Sequence, residues 1–117
     1  NIEPDSDSYL WLKADKFHES FCQDISLEDA FVLAATQKAP LAGTFGNVIT
    51  APAWRKKPSW YQIASEDRMI APGNQAAMST RLNARKVVTL EASHALPHSK
   101  PLEVAAFIDE AAVAISK

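Results

Sequence analysis

The sequence predicts an α/β fold in which parallel strands are joined by crossover helices, and its second half carries this prediction. Two apolar runs rich in aromatic and β-branched residues, "PSWYQIA" from residue 58 and "KVVTLEA" from residue 86, are typical of buried strands. Each run is followed by a helical pattern that opens near Pro72 or at Pro101, a residue suited to the first helical turn. This alternation of strand and helix indicates parallel strands with helical crossovers.

The first half is predicted to be mainly helical. Asp15 can cap a helix over "KFHESFC", and Ser26 can cap a helix over "LEDAFVLAATQ" through an S-x-x-D pattern with Asp29. The apolar residues Leu27, Phe31 and Ala34 are expected to form the buried stripe of this second helix. Before these helices, "YLWL" suggests a short extended segment, and the opening "NIEPDSDSYL" shows no strand pattern. After them, Pro40 should end the helix, and "LAGTFGNVITAPAW" predicts a helical turn followed by a loop.

The predicted sheet is too small to be stable by itself. Parallel strands are normally covered on both faces, and a sheet of two strands is not independently stable. The opening of the sequence also resembles the middle of a longer protein. We therefore expect a helical cap and linker region over 1–55 and a βαβα part of a larger core over 56–117. Its sheet would be completed by an N-terminal partner segment.

Composition and charge exclude several functions. Twelve basic and fourteen acidic residues leave a net charge of -2, and "RKK" at 55–57 is the longest basic run, which argues against a nucleic-acid or anionic-membrane partner. Apolar runs stay shorter than the ~20 residues that a membrane helix needs. The single cysteine, Cys22, cannot form an internal disulfide, which favours a cytoplasmic location. We expect Cys22 to be a buried small hydrophobe and His18 to be structural.

Two polar residues follow the two predicted strands. Asp67 comes after the first strand and His94 after the second. In parallel sheets, catalytic and ligand-binding residues lie at the carboxyl ends of the strands, so we expect these two side chains to lie close together. A carboxylate that orients an imidazole makes a general base near neutral pH. Taken singly, Asp67 is better explained as a turn or solvent-facing aspartate near a helix start, and His94 is equally well explained as a surface-loop histidine.

A metal site is a weaker interpretation of the histidines. His94 and His98 have the spacing of a helical metal pair. However, Pro97 lies between them and the glutamate of an H-E-x-x-H motif is missing, so no metal is expected.

Aromatic residues are dense in the first half of the chain and could line an apolar substrate pocket. For each residue singly, ordinary packing of helices on a sheet is at least as good an explanation. The candidates are Tyr9, Trp11, Phe17, Phe45 and Trp54.

An acid and a histidine after successive strands suggest two members of a catalytic triad, but the third member, the nucleophile, is missing from the sequence. A nucleophile elbow, G-x-S-x-G, needs glycines around the serine because the turn is sharp. The glycines are Gly43, Gly46 and Gly73, and none of them flanks a serine in this way. The oxyanion hole is equally unassigned.

The stretch from residue 57 to residue 112 resembles the C-terminal portion of a small bacterial-type α/β hydrolase. Its acid motif, an apolar strand followed by "EDRMI" and a proline, occupies residues 59–72. Its histidine motif, Ser-His with a proline seven residues on, is matched by Ser93, His94 and Pro101. The segments "LWLKADKFHESFCQDIS" and "APAWRKKPSW" resemble the cap and linker of an esterase-like subgroup.

This resemblance implies the C-terminal part of a serine hydrolase of the α/β-hydrolase fold. The triad order in that fold is Ser, acid, His, so the serine, the oxyanion loop and further strands would lie upstream, in a second chain or a missing segment. The chain alone is expected to be inactive. Once completed by that N-terminal portion, it would cleave a small carboxylic ester without a cofactor, with Asp67 as the acid and His94 as the base.

Other functions stay open on the same scaffold. A hydroxynitrile lyase keeps the Ser, His and Asp and adds a lysine near the site, for which Lys57 and Lys100 are available. A dehalogenase uses an aspartate nucleophile, which would also lie upstream. A binding module for an apolar ligand would keep the pocket without catalysis.

Overall fold

The computed structural model describes residues 1–116, and the chain forms two compact units, Asn1–Pro52 and a second unit from Ala53 onward. The expected division at 55/56 falls at the end of the helical turn that opens the second unit, and residue 117 lies outside the described residues. The role of the first unit as a cap stays a prediction.

The strands and helices follow one another in an order that separates a mainly helical first unit from a second unit in which two strands alternate with helices. Two 3-10 turns, Ala42–Gly46 and Ala53–Arg55, come between α2 and β3. The elements are β1 Ile2–Pro4, β2 Leu10–Leu12, α1 Ala14–Phe21, α2 Leu27–Thr36, β3 Trp60–Ala64, α3 Pro72–Arg81, β4 Lys86–Leu90, α4 Leu96–Ser99 and α5 Pro101–Ile115.

The first unit opens with a hairpin in which β1 pairs antiparallel with β2. Its turn is organised by Asp5, whose carboxylate accepts hydrogen bonds from the backbone N–H groups of Asp7 and Tyr9 and from the indole of Trp11. Ser8 adopts a positive φ of 67° in this turn. The extended segment expected at "YLWL" is confirmed, whereas the expectation of no strand in the first ten residues is wrong.

The two helices of the first unit differ in how well their starts were predicted. Helix α2 is capped as expected: the Ser26 hydroxyl accepts the Asp29 N–H at 3.1 Å and donates to the Asp29 carboxylate at 2.8 Å. Helix α1 begins at Ala14, so Lys13 occupies its N-cap position and the predicted cap by Asp15 is wrong. Asp15 instead lies in the first turn, where its negative charge interacts favourably with the helix dipole and stabilises the helix.

The buried face of α2 also differs from the expected stripe. Ala30 is the buried residue of this helix, while Leu27 and Phe31 are both more than 70% exposed, at 73% and 74%. The buried face of α2 is therefore the one that carries the small Ala30, and not the stripe that begins with Leu27 and Phe31. Those two side chains are left at the surface of the unit.

The core of the first unit is built on α1. The Phe17 ring stacks on Phe21 with 4.9 Å between ring centroids, and Cys22 is completely buried, as expected. Burial, and then the charge of Asp24, raise the pKa of the Cys22 thiol, which suits an inert core residue. The ring of His18 contacts the carbonyl oxygen of Ile25 at 3.0 Å, in keeping with a structural role.

The second unit contains the predicted parallel sheet. β3 and β4 pair in parallel, from Trp60 opposite Lys86 to Ala64 opposite Leu90, and α3 connects them. Pro72 and Pro101 open α3 and α5, as expected. The segment "SHALPHSK", which leads from β4 into α5, contains the short helix α4.

Helix α5 leaves much apolar surface uncovered. The spacing of Val104, Ile108, Ala111 and Ile115 in the sequence predicts one buried face. In the structure Val104, Phe107 and Ala111 are half-buried, whereas Ile108 and Ile115 are each 62% exposed. The covered face is therefore shifted toward Phe107. Exposed apolar side chains on this scale are expected when a unit is part of a larger fold.

A left-handed residue closes α3 before the chain enters β4. Asn83 has φ = 50°, its N–H donates to the carbonyl of Thr80 at 3.0 Å, and the next N–H, of Ala84, donates to Ser79 at 3.2 Å. Asparagine tolerates this conformation better than most residues, and glycine tolerates it best.

We therefore predict opposite responses to two substitutions at Asn83. A β-branched residue pays the steric penalty of the left-handed region, so Asn83→Val should lower the free energy of unfolding by about 1–2 kcal/mol. Asn83→Gly should leave it nearly unchanged. Chemical denaturation of the complete protein measures both, and equal losses for valine and glycine would show that backbone conformation is not what position 83 requires.

Candidate active site

The candidate site forms where β3 and β4 end. Because the strands are parallel and Ala64 lies opposite Leu90, the loops after them leave the sheet at the same edge. Pairing continues beyond the strands: the Ser65 N–H donates to Leu90 and the Glu66 N–H donates to Ala92, at 2.9 and 3.1 Å. This places the loop that carries Asp67 beside the loop that carries His94.

The two predicted residues are in contact. The Nδ1 atom of His94 lies 2.9 Å from Oδ2 of Asp67. The Asp67 side chain is 5% exposed and the His94 side chain 29% exposed, so the acid is buried and the imidazole reaches the surface of the unit. With Nδ1 directed at the carboxylate, Nε2 is the ring nitrogen suited to exchange a proton with a reacting group.

The carboxylate of Asp67 is held by four donors. Its Oδ1 accepts the backbone N–H groups of Met69 at 2.7 Å and Ile70 at 2.9 Å. Its Oδ2 accepts the side-chain amide of Gln75 at 2.9 Å as well as His94. Two oxygens offer about four lone-pair sites, so these contacts satisfy an ionised carboxylate and leave little place for a proton.

Two opposing effects set the protonation of Asp67. Burial alone would raise the pKa of its carboxyl, but hydrogen bonds from Ile70, His94 and Met69, together with attraction to His94, outweigh it and lower the pKa below the ordinary value. The group is therefore an anion at neutral pH. Burial, and then the charge of Asp67, raise the pKa of Tyr61 in β3, which keeps that phenol neutral.

The histidine loop is held by its neighbours. Ser93 is completely buried, and its hydroxyl accepts the backbone N–H of Ala95 at 3.1 Å. This local contact tightens the turn that presents His94. Ser93 was noted in the sequence as part of the histidine motif, and its place in the structure is a support of that loop.

The second histidine of this segment is differently placed. His98 lies in α4 and is exposed. Among residues 1–116, no group of three or more His, Cys, Asp or Glu side chains is arranged to hold a metal ion.

The lysines considered for lyase chemistry lie before β3 and before α5. Lys57 is exposed and precedes β3, whereas Asp67 follows it, so the length of this five-residue strand, roughly 16 Å, separates the two. Lys100 is half-buried between α4 and α5. A lysine role in this site stays a prediction.

Four of the five aromatic residues predicted to line a pocket belong to the first unit. Phe17 is 4% exposed and is taken up by its stacking on Phe21. Trp11 donates its indole N–H to Asp5 at 2.8 Å. These two side chains therefore have identified packing and hydrogen-bonding partners within the first unit.

Of the remaining aromatic candidates, two are exposed and one is half-buried. Tyr9 is 42% exposed and Phe45 is 74% exposed. Trp54 lies in the second unit, half-buried, with the Arg55 guanidinium 5.4 Å from its ring centroid. The assignment of the five aromatics to one substrate pocket stays a prediction.

Gln75 is the residue of the site that sequence reasoning missed. It lies on α3, eight residues after Asp67, and is 5% exposed. Its sequence signal is only a polar residue on the face of α3 that also carries Ser79, a face that the structure buries. A glutamine in a helix gives no indication of a carboxylate partner until the packing of α3 is known.

The chain belongs to the alpha/beta hydrolase family, whose model matches residues 2–107. The parallel pair and its crossover helix confirm the fold that the sequence patterns predicted and that the family resemblance implies. The finer assignment to a bacterial-type, esterase-like subgroup stays a prediction. No curated protein is significantly similar in sequence.

Solved structures show the same fold over about half of their length. Polyneuridine aldehyde esterase matches with a TM-score of 0.75 and 17% sequence identity, over 95% of this chain and 47% of that chain. A histidine-to-alanine mutant of the same esterase matches with a TM-score of 0.73 and 14% identity, over 93% and 46%. This chain thus corresponds to part of the complete hydrolase fold. None of the helices in residues 1–116 has the length and apolar character required to cross a membrane.

The lowered pKa of Asp67 predicts a loss of stability in acid. The folded state holds the proton less tightly than the unfolded state, so the stabilisation is present above the ordinary pKa of 3.8 and is lost as pH falls from there through the lower folded value. Asp67→Asn should remove this part of the pH dependence of unfolding. Asp109→Asn, at an exposed position of α5, is the control, and an equal change in both variants would refute the assignment.

Proposed function

We propose that this segment supplies the acid and the histidine of a serine-type hydrolase that cleaves carboxylic esters. The observation that carries the proposal is the hydrogen bond between the buried, ionised Asp67 and the partly exposed His94, at the carboxyl ends of adjacent parallel strands. Membership of the alpha/beta hydrolase family supports hydrolysis. The choice of esters rests on the sequence resemblance to esterase-like members and on a structural neighbour whose name is that of an esterase.

In the proposed reaction the nucleophile comes from polypeptide that precedes this segment. A serine hydroxyl attacks the ester carbonyl while Nε2 of His94 takes its proton. The protonated imidazole then gives this proton to the departing alcohol, which leaves an acyl-enzyme. A water molecule, deprotonated by the same nitrogen, attacks the acyl group, and return of the proton to the serine releases the carboxylic acid.

Asp67 has two tasks in this scheme. It holds the neutral imidazole in the tautomer with a proton on Nδ1, so that Nε2 can act as base. Its negative charge, little screened because the side chain is buried, stabilises the imidazolium that forms during each proton transfer. Donors for the oxyanion are proposed to come from the same preceding polypeptide as the serine.

Substitution of the two neighbouring histidines tests the assignment of the base. In the complete protein, His94→Ala should lower kcat by at least about 10³-fold, since the proton acceptor is lost. His98→Ala is the matched control, because His98 is an exposed histidine four residues on, and it should retain most activity. A larger loss in His98→Ala than in His94→Ala would make the assignment wrong.

Labelling tests the identity of the nucleophile. A serine-directed organophosphate should block ester turnover by the complete protein, and peptide mass analysis should find the adduct on a serine upstream of this segment. If the nucleophile is an aspartate, as in a dehalogenase, the protein would stay unlabelled and its turnover would be unaffected by the organophosphate. A module that only binds an apolar ligand would be neither labelled nor able to turn over substrate. A hydroxynitrile lyase would be labelled and would cleave a cyanohydrin but no ester.

A further inference from the structure

The buried amide of Gln75 joins three parts of the candidate site. Its Oε1 accepts the backbone N–H of Ala64, the last residue of β3, at 3.1 Å. Its Nε2 donates to the carbonyl of Ile70 at 2.8 Å and to Oδ2 of Asp67 at 2.9 Å. One side chain of α3 therefore binds the end of the strand, the end of the acid loop and the acid itself.

These partners fix which way the Gln75 amide points. A backbone N–H can only donate and a backbone carbonyl can only accept, so Ala64 requires the oxygen of the amide and Ile70 requires its nitrogen. A flipped amide would lose both contacts and place its oxygen against the Asp67 carboxylate. The orientation that presents an N–H to the acid is thus set by the backbone and is independent of the acid.

We infer that Gln75 is a positioning residue that aims the carboxylate of Asp67 at His94. The inference rests on the proposed function, which gives the aspartate and histidine their roles, and adds to it a residue that acts through the acid. Gln75 and His94 both contact Oδ2, while Met69 and Ile70 contact Oδ1.

The need for such a residue follows from the freedom of an aspartate side chain. The terminal torsion of an aspartate is broad, so backbone donors to Oδ1 alone leave Oδ2 free to swing within its well. The second donor, held by Ala64 and Ile70, restricts Oδ2 to the position that meets Nδ1 of His94. A small misplacement of a catalytic group is enough to cost a large factor in rate.

Two substitutions of similar length separate positioning from simple packing. Gln75→Met removes the donor and acceptor but keeps much of the side-chain volume. Gln75→Glu keeps an acceptor for Ala64, yet an ionised glutamate has no donor and places a negative charge against Oδ2 of Asp67 and the carbonyl of Ile70. The glutamate should therefore disturb the acid more than the methionine, although it resembles glutamine more closely in shape.

Kinetics of the complete protein provide the first readout. We expect kcat to fall by about 10- to 100-fold in Gln75→Met and further in Gln75→Glu, with KM little changed, because the lost interaction aids the proton transfers and does not bind substrate. Asn74→Leu, which alters an exposed amide one residue away on α3, is the matched control and should keep its activity. Each rate is divided by the concentration of folded protein, which is determined from the circular dichroism of the variant.

A second readout does not depend on turnover. In protein labelled with ¹⁵N-histidine, the nitrogen shifts of neutral His94 should report the tautomer protonated at Nδ1 in the wild type. They should report a mixture of tautomers in both Gln75 variants and in Asp67→Asn. If the variants shift the tautomer but no wild-type turnover exists, the positioning role stands and the proposed function fails. If turnover depends on Asp67 and His94 while both Gln75 variants keep kcat and tautomer, the positioning inference is overturned.

Discussion

The parallel pairing of β3 with β4 is the constraint on which the candidate site depends. Antiparallel strands would send the loops after them to opposite edges of the sheet, whereas these strands, with Ala64 opposite Leu90, release both loops at one edge. The hydrogen bond from the Ser65 N–H to the carbonyl of Leu90 continues the pairing beyond β3, and it fixes the register of the two loops relative to each other. Residues 27 apart in the chain, Asp67 and His94, thereby come within hydrogen-bonding distance. A shift of the register would separate them even if each loop kept its conformation.

The environment of Asp67 shows how an enzyme fold can bury a charge without neutralising it. An unpaired buried carboxylate would take up a proton, because burial penalises the ionised form. Here two backbone N–H groups, the Gln75 amide and the His94 ring surround it. Burial acts to raise its pKa, but the hydrogen bonds from Ile70, His94 and Met69 and the attraction to His94 lower it. The same donors restrict its geometry. One set of contacts therefore secures both the charge and the direction that a partner of a catalytic histidine requires.

The sequence predicts most features that depend on local patterns or on topology, although the predicted cap by Asp15 is wrong and strand β1 was missed. The apolar runs and Pro72 identify strands and helix starts, and parallel topology then brings Asp67 to His94 without knowledge of any side-chain contact. Features that depend on packing were missed or wrong. Phe31 is exposed because the face of α2 that the structure buries is the one that carries Ala30. Gln75 is recognisable as part of the site only when α3 is placed against the acid loop, since an isolated glutamine has no distinctive chemistry.

Asp67 and His94 are organised by contacts from a short part of the chain. The donors to Asp67 come from its own loop, from α3 and from the loop after β4, and the Gln75 amide is itself held by Ala64 and Ile70. The hydrogen bonds that define the pair thus lie within residues 64–94. In the proposed enzyme, the rest of the fold would have to deliver a serine to an imidazole that is already oriented, and donors to its oxyanion. It would also have to cover apolar side chains such as Ile108. In the proposed enzyme, the positioning of Asp67 against His94 and the supply of the nucleophile are therefore separable tasks of different parts of one fold.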